Sequence, residues 1–263
     1  MKLGSLRHRI LDLSLPPLFI VPITLADPAL VEIAGFAGAE AVLIDAEHGI
    51  INPETVRSMM AHARSAGIAA VFRPLSFDGP TCRQALDAGA DGIHVSHVDT
   101  EEEAQAVVAA CRYAPLGRRE MSLGRAIDYT SSNFLSYVSQ ANECQLLVVM
   151  IESVEGLAKV EKIASVPGID VIHIGIADLS HAMGLTGEYQ HPRVDEAVEH
   201  IMQVAKAHGV AVGYPSSEPD QVAKWAAKGM RYFEADAPDY LLRDVYAEKL
   251  AAFRQIFSNA ASQ

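Results

Sequence analysis

Four polar clusters stand where short apolar runs stop: Asp45-Ala46-Glu47-His48-Gly49, Arg73, Glu152 and Asp178. Glu152 directly follows the apolar run 146–151, and Asp178 lies just beyond Ile174-Gly175. Carboxylates brought side by side need a cation between them or a raised pKa. With room for water or substrate, such a pair suits a hard divalent ion such as Mg²⁺ or Mn²⁺, whereas a structural zinc site asks for cysteine or histidine. A lone carboxylate at a strand end also reads as a helix N-cap, and Asp178 can cap a helix over 179–183. Arg73 closes the apolar run 69–72. It reads either as an internal ion pair with Asp45 or as a guanidinium ready to hold a carboxylate or a developing enolate. Asp45 and His48 are three apart in a turn, so the carboxylate can orient the imidazole and raise its basicity; an exposed surface histidine is the alternative. His97, beside another strand end, can contact substrate. His62, His200 and His208 read as helix-face residues, and His94 and His173 fall within or beside strands.

These groups need elements that bring strand ends to one rim. Eight runs rich in Val, Ile and Leu, at 18–22, 41–45, 69–73, 92–96, 146–151, 171–175, 210–213 and 231–235, alternate with segments of helical period. That is the pattern of βα units on a parallel sheet. The helices are expected to begin near Pro28, Pro53, Pro80, Thr100, Val154, Pro192, Glu218 and Pro238, several with proline where a missing N–H costs nothing. Glycines such as Gly67, Gly209 and Gly229 close the preceding helix. Eight such units predict an α/β fold, a (β/α)₈ TIM barrel, as one domain over 1–263. A doubly wound sheet is the competing architecture, but no Gly-x-Gly-x-x-Gly follows a strand. Residues 115–143 are too long for a simple connection and predict a loop plus an extra helix.

Composition narrows the chemistry. Half of the 263 residues are hydrophobic, so a large core is available, and the net charge of −12 disfavours nucleic acid or an anionic membrane as partner. No run approaches the about 18 apolar residues that span a bilayer. Cys82, Cys111 and Cys144 are sparse and unpaired in spacing, which reads as reduced thiols in the cytoplasm. Arg7-His8-Arg9 imitates the start of a secretory signal, but Asp12 and Pro16-Pro17 interrupt the apolar stretch after it. The lysines (Lys2, Lys159, Lys162, Lys206, Lys224, Lys228 and Lys249) end no strand, which argues against a Schiff base. Asp236 spoils a phosphate site after the last strands, and no Gly-x-Ser-x-Gly elbow is present.

From about Leu18 to Phe257 the chain resembles the HpcH/HpaI aldolase family of metal-dependent pyruvate aldolases, among them 4-hydroxy-2-oxoheptanedioate and 2-keto-3-deoxy-sugar-acid aldolases. The resemblance rests on Leu43-Ile44-Asp45-Ala46-Glu47-His48-Gly49, Phe72-Arg73-Pro74, Leu86-Asp87-Ala88-Gly89-Ala90, Ile151-Glu152 and Ile174-Gly175-Ile176-Ala177-Asp178-Leu179-Ser180 with Met183-Gly184. It implies a divalent ion (Mg²⁺, Mn²⁺ or Co²⁺) on Glu152 and Asp178, and Arg73 on the pyruvyl oxygen. Gly175, Ala177 and Asp178 would line the substrate site. His48, oriented by Asp45 and assisted by Glu47, would serve the acid–base step through a water. The implied reaction is reversible cleavage of a 4-hydroxy-2-oxo acid to pyruvate and an aldehyde through a pyruvate enolate. The implied assembly is a homohexamer, a trimer of dimers exchanging the C-terminal helix, here about 240–258. Met150, Ile176, Ser96-His97, Gly117-Arg118-Arg119-Glu120 and Asp236-Ala237-Pro238 depart from the common pattern. They lie around the mouth, so the substrate stays open. Claisen chemistry on oxaloacetate and an acyl-CoA, as in citrate-lyase-like enzymes and siderophore citrate synthases, remains the alternative on the same residues. A non-catalytic barrel that binds a 2-oxo acid would not be expected to keep Glu152, Asp178 and Arg73 together.

Overall fold

The computed structural model describes residues 5–132 and 134–260. Eight parallel strands close into a barrel in chain order: β1 (Leu18–Ile23), β2 (Ala41–Asp45), β3 (Ala69–Arg73), β4 (Gly92–Val95), β5 (Leu146–Ile151), β6 (Val171–Ile174), β7 (Ala211–Pro215) and β8 (Tyr232–Glu234). β8 returns to β1 in the register Leu18↔Tyr232 and Ile20↔Glu234, which completes the (β/α)₈ architecture. Around and below the strands lie α1 (Ser5–Leu11), α2 (Pro28–Phe36), α3 (Pro53–Ala66), α4 (Gly79–Asp87), α5 (Glu101–Cys111), α6 (Phe134–Cys144), α7 (Val154–Ala158), α8 (Val160–Ala164), α9 (Ile176–Ala182), α10 (Pro192–Ala207), α11 (Pro219–Ala227) and α12 (Pro238–Ala260).

The helix starts follow local chemistry. Asp27, Asn52 and Asp78 each accept a bond from a first-turn N–H, with proline placed in that turn. Thr100 and Glu103 form a reciprocal capping box at the start of α5. The segment after α5 holds the expected extra helix, α6, seated through Tyr137 against Tyr113 and Ile127. Several strand ends shift by one residue from expectation, β1 ending at Ile23, β4 at Val95, β6 at Ile174 and β8 spanning Tyr232–Glu234, and two differences are larger. β7 begins one residue later and runs on to Pro215, and the helix expected from Val154 breaks at Lys159 into α7 and α8.

Side chains alternate across the strands with period two. Val42, Ile44, Phe72, Ile93, Val149 and Ile172 face outward into the core beneath the helices. Leu18, Ile20, Leu43, Val71, Val148, Val171 and Tyr232 face inward and fill the lower barrel. The bottom is plugged by α1, whose Leu6 and Ile10 join this inner cluster. Each fully buried Leu or Ile contributes about 1.5–3 kcal/mol over exposure. Two ties fix the plug: Arg7 Nε donates to Asp170 at 2.6 Å, and Arg231 Nε donates to the Ile10 carbonyl at 3.1 Å. Carried upward, the inward phase that gives Ala41 and Leu43 next gives Asp45, and the phase of Ala69 and Val71 gives Arg73. Polar groups thus crown an apolar interior. At the far end of the chain, α12 exposes its side chains from Tyr240 to Ile256.

Candidate functional site

Asp45 and Arg73 are register partners on β2 and β3, and both are buried. The guanidinium meets the carboxylate as a fork: Nε donates to Oδ1 at 2.9 Å and Nη2 to Oδ2 at 2.6 Å. Glu47 Oε2 lies 3.3 Å from the same Nε and accepts a 2.6 Å bond from Ser96 Oγ. Burial pushes the Asp45 carboxyl up, but the bonds and charge of Arg73, with the N–H groups of His48 and Glu47, outweigh it and hold the group below 3.8. Burial likewise opposes the Arg73 charge, and the bond to Asp45 with the charges of Glu234 and Glu47 raises its pKa in spite of it.

The structure corrects one expected contact. Asp45 reaches His48 through the backbone N–H, at 3.3 Å, and the acid beside the imidazole is Glu47, whose Oε2 lies 3.9 Å from Nε2. Both oxygens of the inward-facing Asp45 are taken up by the arginine fork. His48 has already left the strand, and its side chain is 65% exposed.

Glu152 follows β5 and is buried. Its Oε1 accepts the His97 N–H at 2.7 Å and lies 3.1 Å from His97 Nδ1. His97 Nε2 is also 3.5 Å from Glu47 Oε1, so this imidazole stands between the two acids. His97 adopts φ of 55°, a left-handed conformation that costs a non-glycine residue about 1–2 kcal/mol and that collects at functional sites. Sequence reading gave His97 only a possible substrate contact; its backbone role depends on this torsion. Gly175, at the end of β6, presses on the other side of Glu152. A Cβ there would lie 2.6 Å from Glu152 Cβ, 2.8 Å from its Oε2 and 3.0 Å from Met150 Sδ. Burial raises the Glu152 pKa, His97 offsets part of that, and the charges of Glu47 and Asp178 raise it further. Asp178 is exposed in the first turn of α9, which starts earlier than a cap at Asp178 requires; Gly175 occupies the N-cap position.

A cavity of about 500 Å³ opens at this rim and is walled in part by Asp45, His48, Arg73, Ala177 and Glu234. The sequence-predicted residues therefore meet as follows. Asp45, Glu47 and Arg73 are in direct contact, Glu152 abuts Gly175, Asp178 acts on Glu152 by charge, and His48 and Ala177 edge the cavity. Three carboxylates from the ends of β2, β5 and β6, one of them with its pKa raised, form an oxygen-rich set that fits a hard divalent cation.

One buried group was missed by sequence reading. His94 on β4, His173 on β6 and Glu234 on β8 all face inward, because alternate strands supply one interior layer. His94 Nδ1 and His173 Nε2 lie 3.4 and 3.5 Å from Glu234 Oε1. Burial pushes His173 down to about 3 and His94 well below its usual value, and it pushes Glu234 up to about 7. Period-two phase along β4, β6 and β8 was the signal available for finding them.

Residues 19–234 match the HpcH/HpaI aldolase/citrate lyase family profile. The chain is 34% identical over 238 residues to 4-hydroxy-2-oxovalerate aldolase of Rhodococcus jostii (strain RHA1), covering 89% of this chain and 90% of that one. It is 32% identical over 228 residues to 2-keto-3-deoxy-L-rhamnonate aldolase of Escherichia coli O9:H4 (strain HS), covering 86% and 84%. Among solved structures, citrate synthase SbnG superposes with a TM-score of 0.87 at 30% identity, covering 96% of this chain and 98% of that one. Profile, relatives and the rim of acids around Arg73 agree, and the chain belongs to the HpcH/HpaI aldolase/citrate lyase family.

Proposed function

We propose that the chain is a carbon–carbon lyase, a metal-dependent pyruvate aldolase that cleaves a 4-hydroxy-2-oxo acid to pyruvate and an aldehyde. The observation that carries this reading is the convergence of Arg73, Glu47 and Glu152 on one rim, with the Asp178 charge beside them. Glu152 and Asp178 would hold the divalent ion, Mg²⁺, Mn²⁺ or Co²⁺, which supplies Lewis-acid polarisation of the substrate's keto oxygen. Asp45 fixes the Arg73 fork through Nε and Nη2, which leaves Nη1 for a substrate oxygen as negative charge develops there. His48, at the cavity edge beside Glu47, takes the C4-hydroxyl proton through a water, the C3–C4 bond breaks, and the aldehyde leaves. Gly175 and Ala177 bring backbone, not side chain, against the substrate.

The second reading is Claisen chemistry on oxaloacetate and an acyl-CoA. It is favoured by the likeness to citrate synthase SbnG and by His97 standing between Glu47 and Glu152. One assay separates the two: pyruvate release across a panel of 4-hydroxy-2-oxo acids, against citrate formation from acetyl-CoA and oxaloacetate. Pyruvate release without citrate supports the aldolase, and citrate formation alone overturns it.

We also propose a homohexamer in which α12 is exchanged between paired subunits. Leu241, Val245, Phe253 and Ile256 on that helix are each about half exposed or more in the single chain. The free, buried Cys82, Cys111 and Cys144 fit a reducing compartment such as the cytoplasm. Among the described residues no helix is long and apolar enough to cross a membrane.

A further inference from the structure

We propose that the barrel interior holds a second divalent-ion site, built from His94 Nδ1, His173 Nε2 and Glu234 Oε1, which takes a four-coordinate transition ion of the Zn²⁺ or Co²⁺ class. It is separate from the oxygen-rich rim of Glu152 and Asp178 and differs from it in donor chemistry. Three observations carry it. First, the ring nitrogens of both histidines and Oε1 of Glu234 have no hydrogen-bond partner, although all are buried. Buried polar atoms of native proteins are almost always paired, so several orphans in one layer mark a missing occupant.

Second, the spacing suits ligands better than hydrogen bonds. The nitrogens lie 3.4 and 3.5 Å from Glu234 Oε1, beyond the usual ~2.7–3.2 Å of N–H···O contacts. Ligand bonds of about 2.0–2.1 Å in a tetrahedron place neighbouring donor atoms about 3.3 Å apart. All three donors lie within 4.8 Å of one another, with the two imidazoles edge-on at a centroid distance of 4.9 Å. Third, space is reserved for this geometry. A Cβ at Gly213, next to His173 in register, would lie 2.6 Å from His173 Nδ1. The Tyr232 ring packs edge-on against His173 from the layer below, and its buried hydroxyl also has no hydrogen-bond partner. The nearby Arg73 charge acts on this layer too, but Arg73 makes its close ion pairs with Asp45 and Glu47. Two imidazoles and one carboxylate form the borderline donor set that Zn²⁺ prefers over Mg²⁺. Such an ion would tie β4, β6 and β8 together beneath the mouth.

The test uses the full-length chain, stripped with chelator and titrated with Co²⁺, read by visible absorption. Four-coordinate Co²⁺ absorbs strongly, and six-coordinate Co²⁺ on oxygen ligands only faintly. The expected result is intense bands from one bound ion per chain. They should persist in Glu152→Gln/Asp178→Asn and be lost in His173→Gln and in His94→Leu. If either core variant fails to fold, the rim double variant decides the matter with the interior intact. Only faint bands in that variant, or no bound Co²⁺ at all, would overturn the proposal and assign the layer to buried water.

Discussion

Gly175→Ala is a sharp probe of the rim, because the added atom meets Glu152 before anything else. Its Cβ would sit 2.6 Å from the Glu152 Cβ, and carbon atoms settle about 3.5–4.0 Å apart. The Glu152 Cβ is not the far end of a flexible chain, so the clash has to be relieved by moving β5 against β6, or Glu152 out of place, by about 1 Å. Overpacking of this kind costs about 1–3 kcal/mol of stability. A displacement of about 1 Å in a positioned group costs on the order of 10²-fold in rate. The assay pairs pyruvate release with Mn²⁺ affinity and thermal melting on one preparation. The folded variant should lose about 100-fold in kcat and bind Mn²⁺ more weakly. If it folds and keeps wild-type kcat and Mn²⁺ affinity, Glu152 is not a ligand held by this contact, and the reading of the rim is wrong.

Exhaustive EDTA treatment should abolish cleavage, and Mg²⁺ or Mn²⁺ should restore it with helix content unchanged. Full activity in a chain shown metal-free by elemental analysis would remove the ion from the reaction. Arg73→Lys keeps the charge but loses the fork, so pyruvate proton exchange in deuterated water should slow on the order of 10²–10³-fold. Unchanged exchange would make Arg73 structural. His48→Ala should keep metal and pyruvate binding while aldol cleavage falls about 10²–10⁴-fold, with oxaloacetate decarboxylation spared; equal loss of both reactions would move His48 to enolate formation. Because Asp45 ionises below 3.8 in the fold, its ionised form contributes stability that is complete above the ordinary carboxylate range. That stability drains as pH falls through the lowered value. Asp45→Asn should flatten this acid limb in urea titrations, and an unchanged limb would show that the ion pair does not carry it.

The barrel was legible in the sequence because most strands are short apolar runs and several helix starts carry their own cap, as at Asp27, Asn52 and Thr100. The rim was legible for a related reason: a polar residue that ends an apolar strand has one place to go. What escaped depends on phase and on contacts between distant strands. His94 and His173 look like any strand histidine until the inward faces of alternate strands are aligned, and Glu234 lies on a strand only three residues long. The partner of His48 escaped because sequence spacing to Asp45 cannot reveal that Arg73, from the next strand, occupies that carboxylate. The start of α9 escaped because Gly175 opens that helix without a side-chain cap.

The plug formed by α1 has a consequence for the order in which the molecule is assembled. Its residues precede all eight strands in the chain and so leave the ribosome before them, yet their seat includes Leu146, Val171 and Tyr232. The bond from Arg231 to the Ile10 carbonyl joins residues 221 apart. Contacts of such long sequence separation cannot form until the intervening chain has condensed, and they slow folding. The plug therefore waits for β8, and its docking reports that the barrel has closed.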